Sequence, residues 1–354
     1  MELLGLALRH NCKVISVVGM VKNAGKTVTL NRLIREATQT NLCLGLTSMG
    51  HDGEHNDVLW GNAKPSIWVP QGSLIATTEK LASLTQVGQI PAQARLKLLA
   101  LTPYENALGR LCVAQVMAQG LVELAGPVKR RPLAAIIGIL RGMGADLVLA
   151  DGAIDRVVSV GAGVSEGIIL ASGASLDQSQ REVIHRTVVR VEQLLSPAVT
   201  ESLGAAIRSV EAAVSVLDHS GSITAYDFPS VLGYELQIMA RLRENTSLKA
   251  VLVQGALTDK LLTALSIYAS RQSDFTVIVS CPCNILVSVG VWESFKAAGG
   301  KVASLDSVRV LAVTLNPCSP CGWQFDAANF LAAARQTIAQ VSLQVPVYDV
   351  CQLE

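Results

Sequence analysis

Near the N-terminus, Val17-Val18-Gly19-Met20-Val21-Lys22-Asn23-Ala24-Gly25-Lys26-Thr27-Val28 sets out an apolar run, a glycine, a short loop and then Gly-Lys-Thr at the start of a helical pattern. That order of residue types suits a polyphosphate. Successive backbone N–H groups from Gly19 through Lys22, Asn23, Ala24, Gly25 and Val28 can wrap an anion. The first turn of a helix adds its partial positive charge. Lys26 can reach the β- and γ-phosphates, and the Thr27 hydroxyl can ligate the Mg²⁺ that bridges them. The expected ligand is therefore Mg²⁺ with a nucleoside triphosphate.

Acidic residues at strand ends are the natural complement. Leu147-Val148-Leu149-Ala150-Asp151-Gly152 is an apolar strand ending in Asp-Gly, and Asp151 is expected to share Mg²⁺ with Thr27. The pattern is weak alone and gains specificity only beside the phosphate loop. A second apolar run, Leu42 to Thr47, leads into Ser48-Met49-Gly50-His51-Asp52-Gly53-Glu54. Asp52, or failing that Glu54, is expected to orient an attacking water; ordinary turn chemistry explains the Asp-Gly pair equally well. His51 and His55 read as solvated loop residues before they read as metal ligands. Asp155 and Arg156 form a local ion pair, or Arg156 faces phosphate.

The chain has eight cysteines and no signal-like leader, which points to free thiols. Cys12, Cys43 and Cys112 lie in or beside expected strands and read as small core residues. Cys281-Pro282-Cys283 and Cys318-Ser319-Pro320-Cys321 each follow an expected strand. Four thiolates there would suit Zn²⁺ or an iron–sulfur cluster, but the one-residue spacing of the first pair is tight for a metal. Two turns with reduced thiols are the simpler reading.

Half of the residues are hydrophobic, 16% are charged and the net charge is +1. Such a balance gives no electrostatic case for a nucleic-acid or anionic-membrane partner. Lys129-Arg130-Arg131 reads as a solvated turn. No apolar stretch approaches the ~20 residues that span a bilayer, so a cytoplasmic protein is expected.

These groups need a scaffold. Val14–Val18, Leu42–Thr47, Leu147–Ala150 and Ile168–Ala171 read as strands, with helices over Thr27–Ala37, Leu133–Arg141 and Gln178–Leu195. That rhythm implies βαβ units around a mainly parallel sheet. The less regular segments Ile67–Thr77 and Lys97–Ala118 read as an antiparallel insertion. Ser196-Pro197 marks the expected boundary, giving a nucleotide-binding domain over 1–196 and a second, smaller α/β domain over 197–354 for partner or client contact. In the latter, 250–254, 276–280, 308–314 and 345–348 read as strands, and 258–270, 291–298 and 326–339 as helices.

The loop departs from the usual phosphate-loop spacing, with five residues rather than four between Gly19 and Gly25. This longer form resembles dethiobiotin synthetase and its relatives in the nitrogenase iron protein-like branch of P-loop proteins, which implies a P-loop NTPase domain. Some members of that branch use a second loop lysine that reaches across a homodimer to the partner's nucleotide. That lysine falls where Val21 sits, one position from Lys22, so a homodimer stays open.

The chain as a whole resembles the P-loop ATPase subunit of the reactivating system for lysine 5,6-aminomutase, an adenosylcobalamin enzyme. The residues that carry this are Val18 to Asn31, Gly45-Leu46-Thr47-Ser48 with Asp52-Gly53-Glu54, Val69-Pro70 with Gly72 to Thr77, Asp151 to Arg156, Thr314-Leu315-Asn316-Pro317, and Val345 to Val350. The resemblance implies ATP-driven release of inactive cobalamin from a damaged mutase, with a companion subunit and the aminomutase as partners. A synthetase that activates a carboxylate with ATP, and a nucleotide-binding regulator, are the competing readings. No Asn/Thr-Lys-x-Asp guanine-reading motif stands out, which favours ATP over GTP.

Overall fold

The computed structural model describes residues 2–49, 67–84, 92–153, 164–210, 212–245 and 248–352. Among these the chain is α/β, with ten α-helices and one large mixed sheet. It divides into two compact units, Met1–Val188 with Arg309–Glu354, and Val189–Val308.

Strands and helices are numbered in chain order. The first unit is built on β1 (Val14–Gly19), β2 (Leu44–Ser48), β4 (Leu74–Thr78), β5 (Arg95–Asn106), β6 (Gly109–Ala118), β8 (Leu147–Ala153), β9 (Gly167–Gly173), β17 (Val310–Asn316) and β18 (Val347–Asp349). Their order across the sheet is β18-β17-β9-β1-β8-β2-β4-β6-β5. From β18 to β4 every pairing is parallel; β6 and β5 close the far edge as an antiparallel hairpin. The expected antiparallel insertion is thus split, because β4 joins β2 in parallel and only β6 runs against the sheet, with β5 reversing again beside it. A small antiparallel pair, β3 (Ile67–Val69) with β7 (Gly120–Val122), stands apart.

All six residues of β1 are buried, as are all seven of β9, which is why both read as continuous apolar runs. Helix α2 (Lys26–Ala37) covers one face with Leu30, Leu33, Ile34 and Ala37, an i, i+3, i+4, i+7 stripe. Each of its three large side chains contributes roughly 1.5–3 kcal/mol by burial. Helix α1 (Leu3–Arg9) packs Leu3, Leu4, Leu6 and Ala7 into the same core. Helix α4 (Arg130–Gly142) buries Leu133, Ile136, Ile137 and Leu140 at helical spacing. Lys129, Arg130 and Arg131 at its start are exposed.

The second unit carries a five-stranded sheet in the order β11-β10-β12-β14-β16, from β10 (Val214–Asp218), β11 (Ile223–Tyr226), β12 (Leu248–Val253), β14 (Thr276–Val279) and β16 (Lys301–Ser304). Alternation along β12 sends Val251 and Val253 to one core and Ala250 and Leu252 to the other. The first core takes α7 (Glu235–Arg243), α8 (Asp259–Ala269) and α9 (Val289–Ala297); the second takes Ile207 of α6 (Glu201–Arg208).

The division between units differs from the expected boundary at 196/197. It falls at 188/189, within α5 (Gln180–Leu194), and the chain returns to the first unit at Arg309. The stretch 309–354, assigned from sequence to the second domain, supplies β17, α10 (Ala327–Val341) and β18 to the first. Local pattern places a strand at 308–314, two residues ahead of the observed Val310–Asn316, but cannot name its neighbour, since β9 and β17 pair across more than a hundred residues of chain. No helix among the described residues is long and apolar enough to cross a membrane.

Glu36 ties the first two helices together. Its buried carboxylate accepts hydrogen bonds from the N–H groups of Leu3 (3.5 Å) and Leu4 (2.8 Å) and from Arg32 Nε (2.8 Å). The acid therefore caps the N-terminus of α1 from inside α2. Burial alone would raise its pKa, but the hydrogen bonds from Arg32 and the α1 amides outweigh it and hold the pKa below the ordinary glutamate value. A depressed carboxylate stabilises above the unfolded-state pKa and loses that contribution as pH falls through the folded one. Glu36→Gln is expected to lower stability by about 2 kcal/mol at pH 7. In urea denaturation the gap to wild type should close as the pH falls below about 4.

Candidate functional site

Parallel pairing brings the carboxyl ends of β1, β2, β8, β9 and β17 to one sheet edge. Ligands of open α/β sheets bind there, at the point where successive connections depart in opposite directions. That point is β1, with β8 and β2 on one side and β9 and β17 on the other.

Gly19 ends β1, and residues 20–25 form the loop that enters α2. The N–H of Met20 donates to Ala171 O at the end of β9 (2.9 Å), fixing where the loop leaves the sheet. Two loop residues take left-handed backbone, Asn23 (φ +62°) and Gly25 (φ +94°). Turns of this kind aim neighbouring N–H groups toward a common centre. Gly25 is the N-cap of α2 and has no side chain to cap it, so the amides of Lys26, Thr27 and Val28 are left for another acceptor. Ala24 and Gly25 are buried, Lys22 and Asn23 are exposed, and Lys26, Thr27 and Val28 are half-buried.

The Lys26 side chain lies back across Gly19. A Cβ at position 19 would stand 2.6 Å from Lys26 Cγ and 2.7 Å from Cδ, so glycine is what lets the lysine lie along the loop. Gly25 is constrained from the other side, where a Cβ would meet Asn316 Cβ at 3.2 Å and Val350 Cγ1 at 3.3 Å.

Asp151 is half-buried on β8, in register with Val17 on β1 and with Ser48 on β2. Val18 pairs with Gly152 and Gly19 with Ala153, so the carboxylate stands beside the strand that delivers the loop. The N–H of Met49 donates to Asp151 O (2.8 Å), anchoring the start of the segment after β2 to the same place. Asp52, Glu54, His51 and His55 lie beyond that anchor and outside the described residues, as do Asp155 and Arg156.

The site includes residues that the motif did not assign. Asn316, at the end of β17, donates from Nδ2 to Asn23 O (3.2 Å). Its Oδ1 accepts from the N–H of Cys318 (3.1 Å). One side chain thus joins the loop after β1 to the turn after β17. Thr29 and Thr314 share a buried hydroxyl–hydroxyl hydrogen bond of 2.9 Å, which docks the first turns of α2 on β17. The Asn316-Pro317 turn was visible in sequence as a turn; its position against Gly25 was not, because it depends on β17 joining this sheet.

All eight cysteines are free thiols. Cys281 and Cys283 belong to the second unit, Cys318 and Cys321 to the first. Among the described residues no group of three or more His, Cys, Asp or Glu side chains is placed to hold a metal. Burial pushes the Cys112 thiol up to about 11 and also raises Cys12 and Cys43. A hydrogen bond with Cys281, together with burial, holds Cys283 well above the usual thiol value.

No family model matches the chain, and no curated protein matches it.

Two outcomes follow from this geometry. Asn316→Ala removes the brace on the loop and is expected to cost about 1 kcal/mol. It should also speed amide hydrogen exchange over residues 20–25, whereas unchanged exchange there would mean the loop holds its own shape. In the native protein the exposed Cys318, Cys321 and Cys351 should react rapidly with a disulfide reagent, the half-buried Cys43 more slowly, and the four buried thiols only after unfolding.

Proposed function

We propose that the chain is a Mg²⁺-dependent P-loop nucleoside triphosphatase, with ATP as the favoured nucleotide. The observation that carries this reading is the β1–loop–α2 unit: two left-handed residues, an uncapped helix start and Lys26 folded across Gly19. On the adjacent strand, Asp151 supplies the acid that such a site requires.

These residues fit the group they would hold. The loop amides and Lys26 neutralise the β- and γ-phosphates, and the first-turn amides of α2 add the helix dipole. Thr27 and Asp151 are the pair that would hold Mg²⁺, whose charge offsets that of the phosphate oxygens. Asp52 or Glu54, on the segment that leaves from Met49, orients the water. Water attacks the γ-phosphorus, the bond to the β-phosphate oxygen breaks, and ADP and inorganic phosphate leave.

The client reading rests on resemblance. It supports a cytoplasmic ATPase that works with a companion subunit and couples hydrolysis to cobalamin release from an adenosylcobalamin-dependent aminomutase. Physically, contacts that change when the γ-phosphate is lost bias a two-state grip on the client.

Mg²⁺-dependent phosphate release, measured for wild type and Lys26→Ala with and without such an aminomutase, tests both levels. Wild-type turnover that falls at least ~100-fold in Lys26→Ala is expected, since the lysine acts on transition-state charge. Stimulation by the mutase supports the client reading. Hydrolysis indifferent to the mutase but raised by a carboxylate metabolite favours the synthetase instead. Absence of both binding and turnover would remove the P-loop assignment.

A further inference from the structure

The nine-stranded sheet ends on β5, a strand of 12 residues. That is about twice the common strand length. Among the described residues nothing pairs with its outer side. Natural edges are kept short or charged because a free ladder of N–H and C=O groups recruits other strands. This edge is long and apolar in its middle: Leu98, Leu99 and Leu101 are 37%, 41% and 46% exposed, and Met117 on the neighbouring β6 is 38% exposed.

Its charges are sorted by end. Arg95 and Lys97 open the strand and Glu105 lies near its close, all exposed. Arg110, opposite Glu105 across the hairpin, is on β6, one strand in from the free edge. A blunting device needs charges that repel whatever approaches. Charges of opposite sign at the two ends do so only against a parallel neighbour, where Arg95 meets Arg95 and Glu105 meets Glu105. Against an antiparallel copy related by a two-fold axis, the basic end meets the acidic end twice over and the leucines meet in the centre.

We propose that the outer edge of β5 is a homodimer surface, on which a second copy of this chain pairs antiparallel about the 98–101 segment. Pro103 lacks an N–H, and the register with β6 shifts between Leu98 and Ala100 and between Leu101 and Glu105. The shared ladder is therefore short. Leucine burial and the two charged ends carry the association, and it weakens as salt rises.

Sedimentation of the intact chain across the micromolar range tests this with two charge variants. Arg95→Glu/Lys97→Glu makes both ends acidic, and Glu105→Lys makes both ends basic. Each alone should weaken dimerisation by about tenfold or more, with unchanged circular dichroism. An equimolar mixture of the two should recover the dimer, because every end then faces its opposite. Leu99→Asp/Leu101→Asp should abolish the dimer without recovery by either partner. A wild type that stays monomeric, a dimer that ignores all the variants, or a mixture that fails to recover would each overturn the proposal.

Discussion

Parallel pairing of β1 with β8 on one side and β9 on the other is the constraint on which the candidate site depends. Val14 to Gly19 are matched residue for residue with Val148 to Ala153, and Ile15 to Gly19 with Gly167 to Ala171. A slip of one residue would turn every buried side chain of β1 to the opposite face. The register is therefore enforced by the whole core. Once it is set, the loop after Gly19 must emerge beside Asp151, with the ends of β9 and β17 on the other flank. The site inherits its geometry from hydrophobic burial rather than from contacts of its own.

Close approach then refines what the register brings together. Gly19 leaves room for Lys26, and Gly25 lets the loop pass Asn316 and Val350 while holding a backbone angle that other residues resist. Gly126 follows the same logic at the end of β2, where a Cβ would fall 1.7 Å from Ser48 O and the Gly126 N–H donates to Ser48 Oγ at 2.9 Å. Larger side chains at these positions would push apart the segments that the sheet has gathered. Asn316 adds a polar tie where glycine supplies only space.

Much of this was legible in the sequence because it is local. The apolar run, the loop and the helix of residues 14–37 follow one another along the chain, and their periods change from buried strand to amphipathic helix at Lys26. Asp151 was legible because its strand is an uninterrupted apolar run that ends in Asp-Gly. What stayed hidden was non-local. The residues of β17 spell a strand in any α/β sheet, and only pairing with β9 gives Asn316 its place beside the loop. The β10–β11 hairpin and the short β16 were missed because their apolar runs are brief, and β11 is partly exposed. Glu36 drew no reading from the sequence, because its capping of α1 requires the two helices to be in contact.

Amide hydrogen exchange of the intact chain, with and without a non-hydrolysable ATP analogue and Mg²⁺, tests the central claim most directly. A P-loop site predicts Mg²⁺-dependent protection of residues 20–28, with slower exchange at Met49 and along the end of β8. An exchange pattern that the nucleotide leaves unchanged there, or protection confined to the second unit, would contradict it.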